Sequence, residues 1–147
     1  MEAFTPSSGR YSLEPGYHVS VQVPAVHAKE ILDAVLSATS LTYGDYDSVA
    51  FTTSIGAQQF RALAGCRHGA AEAVVEVPCV EVTFYISQAS DTLSHALAAV
   101  YNAHPYEEPV ILINEILSTR HVKGVDDDNP NRFWNRDTPD WVPEIHR

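Results

Sequence analysis

Cations are scarce in this chain. Nine Lys and Arg stand against 19 Asp and Glu, a formal net charge of −10 at pH 7 over 147 residues. The imbalance is local: residues 1–117 hold Arg10, Lys29, Arg61 and Arg67 against 13 acidic side chains, whereas residues 118–147 carry five basic and six acidic groups. A body this acidic repels phosphate backbones, which excludes nucleic acid as a partner. It suits cations, basic partners or simple solubility. Cysteine is scarce too. Cys66 and Cys79 match neither a disulfide framework nor a zinc spacing, so both are expected to be reduced, structural residues. No apolar run approaches the roughly 20 residues of a transmembrane helix, which excludes a helical membrane span. The N-terminus lacks a basic stretch followed by an apolar one, so no secretory leader and a cytoplasmic location are expected. A nucleophile motif, a phosphate loop and a paired acid elsewhere are also absent, and no residue is assigned as catalytic.

What is present reads as one α+β domain. Apolar residues make up 45% of the chain and charged ones 19%, enough for a single core and too apolar for disorder. Residues 1–16 have no periodicity and are expected to form an N-terminal arm. Tyr17 to Pro24 alternates and ends on proline, which predicts a strand. Ala28, Ile31, Leu32 and Val35 recur at helical spacing, predicting an amphipathic helix from about Val26 to Thr39. Ser48 to Thr53 is a β-branched run, and Gln58 to Leu63 is expected to return as its hairpin partner. Val74 to Ile86 is a long β-rich stretch containing Pro78, which must therefore be an edge, a bulge or two pieces.

The second half repeats this logic. Ser90 is a good N-cap, and Leu93, Ala96, Leu97, Val100 and Tyr101 follow at i, i+3, i+4, i+7 and i+8. Val110 to Leu117 has little polar relief and reads as a central strand. Two helices on one face of an antiparallel sheet with split βαβ connections is the ferredoxin-like arrangement, expected over residues 17–117.

Between the second helix and the last strand lies Asn102-Ala103-His104-Pro105-Tyr106-Glu107-Glu108-Pro109. Each proline fixes its own φ and pushes the residue before it towards extended geometry, so this is a stiff turn that aims its polar groups. Imidazole with carboxylate oxygen suits zinc or a similar divalent ion. Adjacent Glu107 and Glu108 point to opposite faces on extended backbone, so at most one joins His104. Further ligands would come from Asp45, Asp47 or another subunit. A plain helix-to-strand turn with solvated carboxylates is the competing reading. So is a small enzyme using His104 as acid or base beside Glu108. Tyr43-Gly44-Asp45-Tyr46 reads as a turn able to line a small-molecule cleft between subunits, and Arg61 is expected to find an acidic partner such as Glu107 or Glu108.

Taken in order, Tyr43-Gly44-Asp45-Tyr46, Ser48 to Thr53, Gly56, Phe60-Arg61-Ala62-Leu63 and His104 to Pro109 resemble a known pattern. It is the PII-like domain inserted within the dimetal-binding proteins known as GTP cyclohydrolase I type 2 homologues. It is more distantly similar to the CutA divalent-cation tolerance proteins. The resemblance runs from Tyr17 to Leu117, here as a stand-alone protein, and leaves out the halves that carry the metal centre of those proteins. It therefore implies no dinuclear hydrolase activity. It implies a PII/CutA-like oligomer associating by sheet edges, a homotrimer with a dimer as the alternative. A small ligand is expected near Tyr43, Asp45, Tyr46, Arg61 and Tyr106, and, from the proximity of these groups in the braced turn, a divalent ion (zinc, copper or manganese) at His104 with one of Glu107 and Glu108. Where the family often has His and Cys after the turn, this chain has Asp47 and Ser48, which weakens a soft-metal site there.

Residues 118–147 lie outside the resemblance. Asp126 to Asn131 is acidic and turn-forming but lacks the EF-hand pattern. Trp134 and Trp141 are expected to lie in grooves of this subunit or a neighbour.

Overall fold

The computed structural model describes residues 5–137, 141 and 143–146. Residues Glu14–Ser118 form one compact unit, and the described residues before and after them form a second. In chain order the elements are β1 (Tyr11–Pro24), α1 (Ala28–Ala38), β2 (Ala50–Thr52), β3 (Gly56–Phe60), β4 (Val75–Ser87), α2 (Leu93–Ala103) and β5 (Ile111–His121). Short 3-10 turns occupy Ala25–His27, Phe133–Asn135 and Glu144–His146. Among the described residues no helix is long and apolar enough to cross a membrane.

Alternation decides the core. Val19, Val21 and Val23 of β1 lie opposite Phe84, Val82 and Val80 of β4, and all six side chains are buried. A slip of one residue would turn this whole set to the other face, so the register is pinned by burial. Ile31 and Val35 of α1 and Ala96 and Val100 of α2 cover that face. The helical pattern holds except at Tyr101, which is exposed. Leu93 to Val100 already supplies the stripe, and in the last turn Ala103 packs against the core while Tyr101 faces away from it. α2 begins after Thr92, whose carbonyl accepts the Ala96 N–H at 2.9 Å. Ser90 contributes a hydroxyl contact to Thr92 at 2.8 Å rather than a cap.

The sheet has five strands in the order β2-β4-β1-β5, with β3 also on β4. This is the ferredoxin-like order. The expected hairpin between the second and third strand runs does not form. β2 and β3 both lie antiparallel to β4, β2 on Val82 to Phe84 and β3 on Val75 to Cys79. They are one strand broken by a bulge. From Thr52 to Gly56 the chain advances four residues while β4 advances three, from Val82 to Cys79. Thr53 bridges the break, its N–H on the Glu81 carbonyl at 3.0 Å and its Oγ1 accepting the Glu81 N–H at 2.9 Å.

Two further expectations change. β5 is an edge strand, paired to β1 alone, with the Gln22 N–H on the Val110 carbonyl at 3.0 Å. Leu112, Ile113 and Leu117 are correspondingly exposed, so continuous apolarity here marks an uncovered edge. β1 starts at Tyr11, inside the stretch expected to be a loose arm. Pro78 sits in continuous β4 just past Cys79, the partner of Pro24 at the end of β1. There β4 has a neighbour on one side only, and a missing N–H can face outward.

In the second unit Asp126 is the hub. Arg10 grips its carboxylate through Nε at 3.1 Å and Nη2 at 2.7 Å, and Arg132 also reaches it. The Arg10 hydrogen bonds hold the Asp126 carboxyl below the usual carboxylate range. Trp134 donates Nε1–H to the Asp127 carbonyl at 2.9 Å and meets Phe133 edge-on at 5.2 Å. Trp134 and Trp141 are 53% and 77% exposed, so neither fills a groove of this chain.

Candidate functional site

α2 ends where Pro105 forces its predecessor out of the helix. His104 is extended at φ −72° and ψ 134°, while its own N–H still closes the last helical turn on the Val100 carbonyl at 2.8 Å. Its ring is buried, and both nitrogens are used. Nδ1 accepts the Tyr106 N–H at 3.0 Å, which leaves the proton on Nε2 to be donated to the Gln22 carbonyl at 2.7 Å. One imidazole thereby ties the end of α2, the turn and β1 together. The Tyr106 ring packs on it at 4.9 Å.

In this geometry both ring nitrogens of His104 are engaged within the fold. The Tyr106 N–H occupies the ring lone pair and the Gln22 carbonyl receives the ring N–H. Glu107 is likewise engaged, both carboxylate oxygens accepting the Arg67 N–H at 3.1 Å. Glu108 is exposed. Among the described residues no group of three His, Cys, Asp or Glu is placed to hold a metal ion.

What the turn does build is a cavity of about 430 Å³. Its walls are Gln58, Gln59 and Phe60 of β3, Arg61, Ala62 and Cys66 of the following loop, Pro105 to Glu108 of the turn, and Val110. Phe60 and Tyr106 face each other at 6.0 Å. Glu107 closes the loop onto the turn through Arg67. Arg61 reaches the cavity but forms no ion pair with a described carboxylate, contrary to expectation. Cys66 is exposed on this wall rather than structural, whereas Cys79 is buried. Burial pushes the Cys79 thiol up, away from thiolate. The Tyr106 hydroxyl is buried with no hydrogen-bond partner, and burial, then the neighbouring Cys79, raises its pKa.

Of the expected ligand residues, Arg61 and Tyr106 are brought together, with Glu107 and Glu108. The Tyr43 to Tyr46 turn is elsewhere. It closes on itself through Tyr43 and Tyr46 backbone bonds of 2.7 and 3.1 Å around Gly44 at φ +59°, and Tyr43 packs against Tyr85 at 6.0 Å. Tyr85 and Cys79 are six residues apart on β4, roughly 20 Å along the strand. Within one chain the two groups cannot share a ligand. The Glu107–Arg67 clasp and the glutamines of β3 escaped the sequence reading, because a backbone N–H forty residues away leaves no sequence signal.

No protein-family model matches the chain, and no curated protein matches it. Solved structures do. A Bacillus cereus protein related to NIF3 aligns with 77% of this chain at 24% identity and a TM-score of 0.58, using 29% of its own length. Staphylococcus aureus protein SA1388 aligns with 78% at 21% identity and 0.50, using 27% of its length. The divalent ion tolerance protein CutA1 from Ehrlichia chaffeensis aligns with 71% at 15% identity and 0.50, over 84% of its length. The likeness shows the fold. It is ferredoxin-like, of the CutA type, and this chain spans less than a third of the first two proteins.

Proposed function

We propose that this protein is a PII/CutA-like oligomeric module that holds a small ligand in the cavity beside the His104 to Pro109 turn. The observation that carries this reading is the 430 Å³ cavity, in which Arg61, Tyr106, Glu107 and Glu108 meet against a turn locked by a buried imidazole. Such a site binds and senses. The exposed apolar edge of β5 supports self-association, as a homotrimer, with the Tyr43, Asp45 and Tyr46 turn of a neighbouring copy completing the cleft. The name of the CutA1 relative motivates including divalent ions, for which Glu108 supplies an exposed carboxylate.

A native-state binder raises the melting temperature by mass action. Thermal shift assays should be run with nucleotides, small carboxylic acids, zinc, copper and manganese on the wild type, Arg61→Ala and Glu108→Gln. At least one compound is expected to raise Tm in the wild type, with a smaller rise in a variant. No shift with any of them, or equal shifts in all three proteins, overturns the cavity assignment. Light scattering that shows a strict monomer at micromolar concentration overturns the oligomer.

A further inference from the structure

The strand break between β2 and β3 opens a second recess, of about 250 Å³, on the sheet face away from the helices. Thr53, Gln58, Gln22, Cys79 and Glu81 line it. Glu81 is the one carboxylate in its lining. The carboxylate is half-buried, and its two hydrogen-bonded neighbours are neutral: Ser20 Oγ donates to Oε2 at 3.2 Å and Gln22 Nε2 to Oε1 at 3.3 Å. Gln22 is itself held by Gln58 Nε2 at 2.8 Å. Among the described residues no cation pairs with Glu81. The backbone of Glu81 is fixed on both sides by Thr53.

Each carboxylate offers about four acceptor directions, of which the fold uses two here. The Gln58 carbonyl oxygen, met only by the Cys79 thiol at 3.9 Å, adds another acceptor at the same place. We infer that this recess is a binding site for a compact nitrogen cation, a primary ammonium or guanidinium, whose N–H groups are received by Glu81 and Gln58. Calcium fits poorly, since it takes about six to eight oxygen ligands and the single carboxylate here is Glu81. Two sources present the same chemistry, a free amine and a Lys or Arg side chain from a second copy of this chain.

The experiment follows the Thr53 and Glu81 amide signals and the Gln22 and Gln58 side-chain amides by NMR, with n-butylammonium as probe and n-butanol as its neutral match. Saturable shifts are expected with butylammonium and none with butanol, and Glu81→Gln should weaken the probe about tenfold or more. Gln58→Lys guards against a folding artefact: the tethered ammonium should raise Tm and shut out the probe. If wild type excludes the probe while Glu81→Gln lowers the oligomeric state in light scattering, the cation is a second copy's side chain. Equal binding to wild type and Glu81→Gln overturns the assignment. So does a response to butanol or to magnesium alone, or no response in either arm.

Discussion

His104 is the side chain whose loss should be felt furthest. His104→Ala strands the Tyr106 N–H and the Gln22 carbonyl inside the fold and leaves a hole under the Tyr106 ring. At about 1–3 kcal/mol per buried orphan, the two together set an expected loss of about 2–6 kcal/mol, read by denaturant unfolding. A metal-ligand role predicts instead a stability loss only when metal is present, so repeating the melt with a chelator separates the two. Gly16 is the second telling position. A Cβ there would stand 2.3 Å from the Tyr85 hydroxyl, whose ring lies across it while bonding the Pro15 carbonyl at 3.1 Å. Gly16→Ala must evict Tyr85, and overpacking of this kind costs about 1–3 kcal/mol. The Tyr43 signals should move with it in a proton NMR spectrum, since Tyr43 packs on Tyr85. Asp126 makes a pH prediction. Its folded pKa lies below the ordinary value of 3.8, so its contribution is present above that value and is lost as pH falls through the lower one. Asp126→Asn should flatten the acid limb of a pH–stability curve below pH 3.8 while leaving its neutral-to-alkaline limb in shape.

Among the elements, β5 sets the behaviour of the sheet. It presents one unpaired side, with Ile113 and Leu117 44% and 48% exposed. An exposed apolar edge invites another strand, and a charge on it discourages one. Ile113→Lys should reduce the oligomeric state in light scattering at a cost to the isolated fold within about 0.5 kcal/mol, the range of ordinary surface changes. An unchanged oligomer would place the association elsewhere. The split between β2 and β3 belongs to the same scale: a bulge at Thr53 turns what would be a smooth edge into the recess at Glu81.

For the whole molecule, the distribution of burial predicts uneven stability. Every buried apolar side chain among the described residues falls between Val19 and Pro109, in the unit Glu14–Ser118. Hydrogen exchange should find the highest protection at Val19 to Val23 and Val80 to Ile86, and faster exchange in the unit built from the two ends of the chain. Both tryptophans belong to that second unit, and Trp134 and Trp141 are exposed. Tryptophan fluorescence should therefore change at lower temperature than far-ultraviolet circular dichroism. Coincident melts would mean that the two units unfold as one.

The sequence alone determined the features that are local and periodic. The stripes Ile31, Val35, Ala96 and Val100 and the alternation Val19, Val21, Val23 are written at fixed spacing, and they dictate two helices on one sheet face and the ferredoxin-like order. The stiffness of the turn around Pro105 and Pro109 was equally legible, because a pyrrolidine ring acts on its own residue and the one before. Partnership across the chain was not. Whether His104 Nε2 is free depends on a carbonyl eighty-two residues away, at Gln22. Whether Glu107 is free depends on the Arg67 N–H, and whether Leu112 is central or exposed depends on which strand lies beside β5. Neither the one-residue offset between β2 and β3 nor the solitary carboxylate of Glu81 has a spacing rule, since both arise from register between distant strands. Periodicity encodes which face is buried; only the tertiary structure decides who meets whom there, because hydrogen-bond partners are chosen by position in space rather than by distance along the chain.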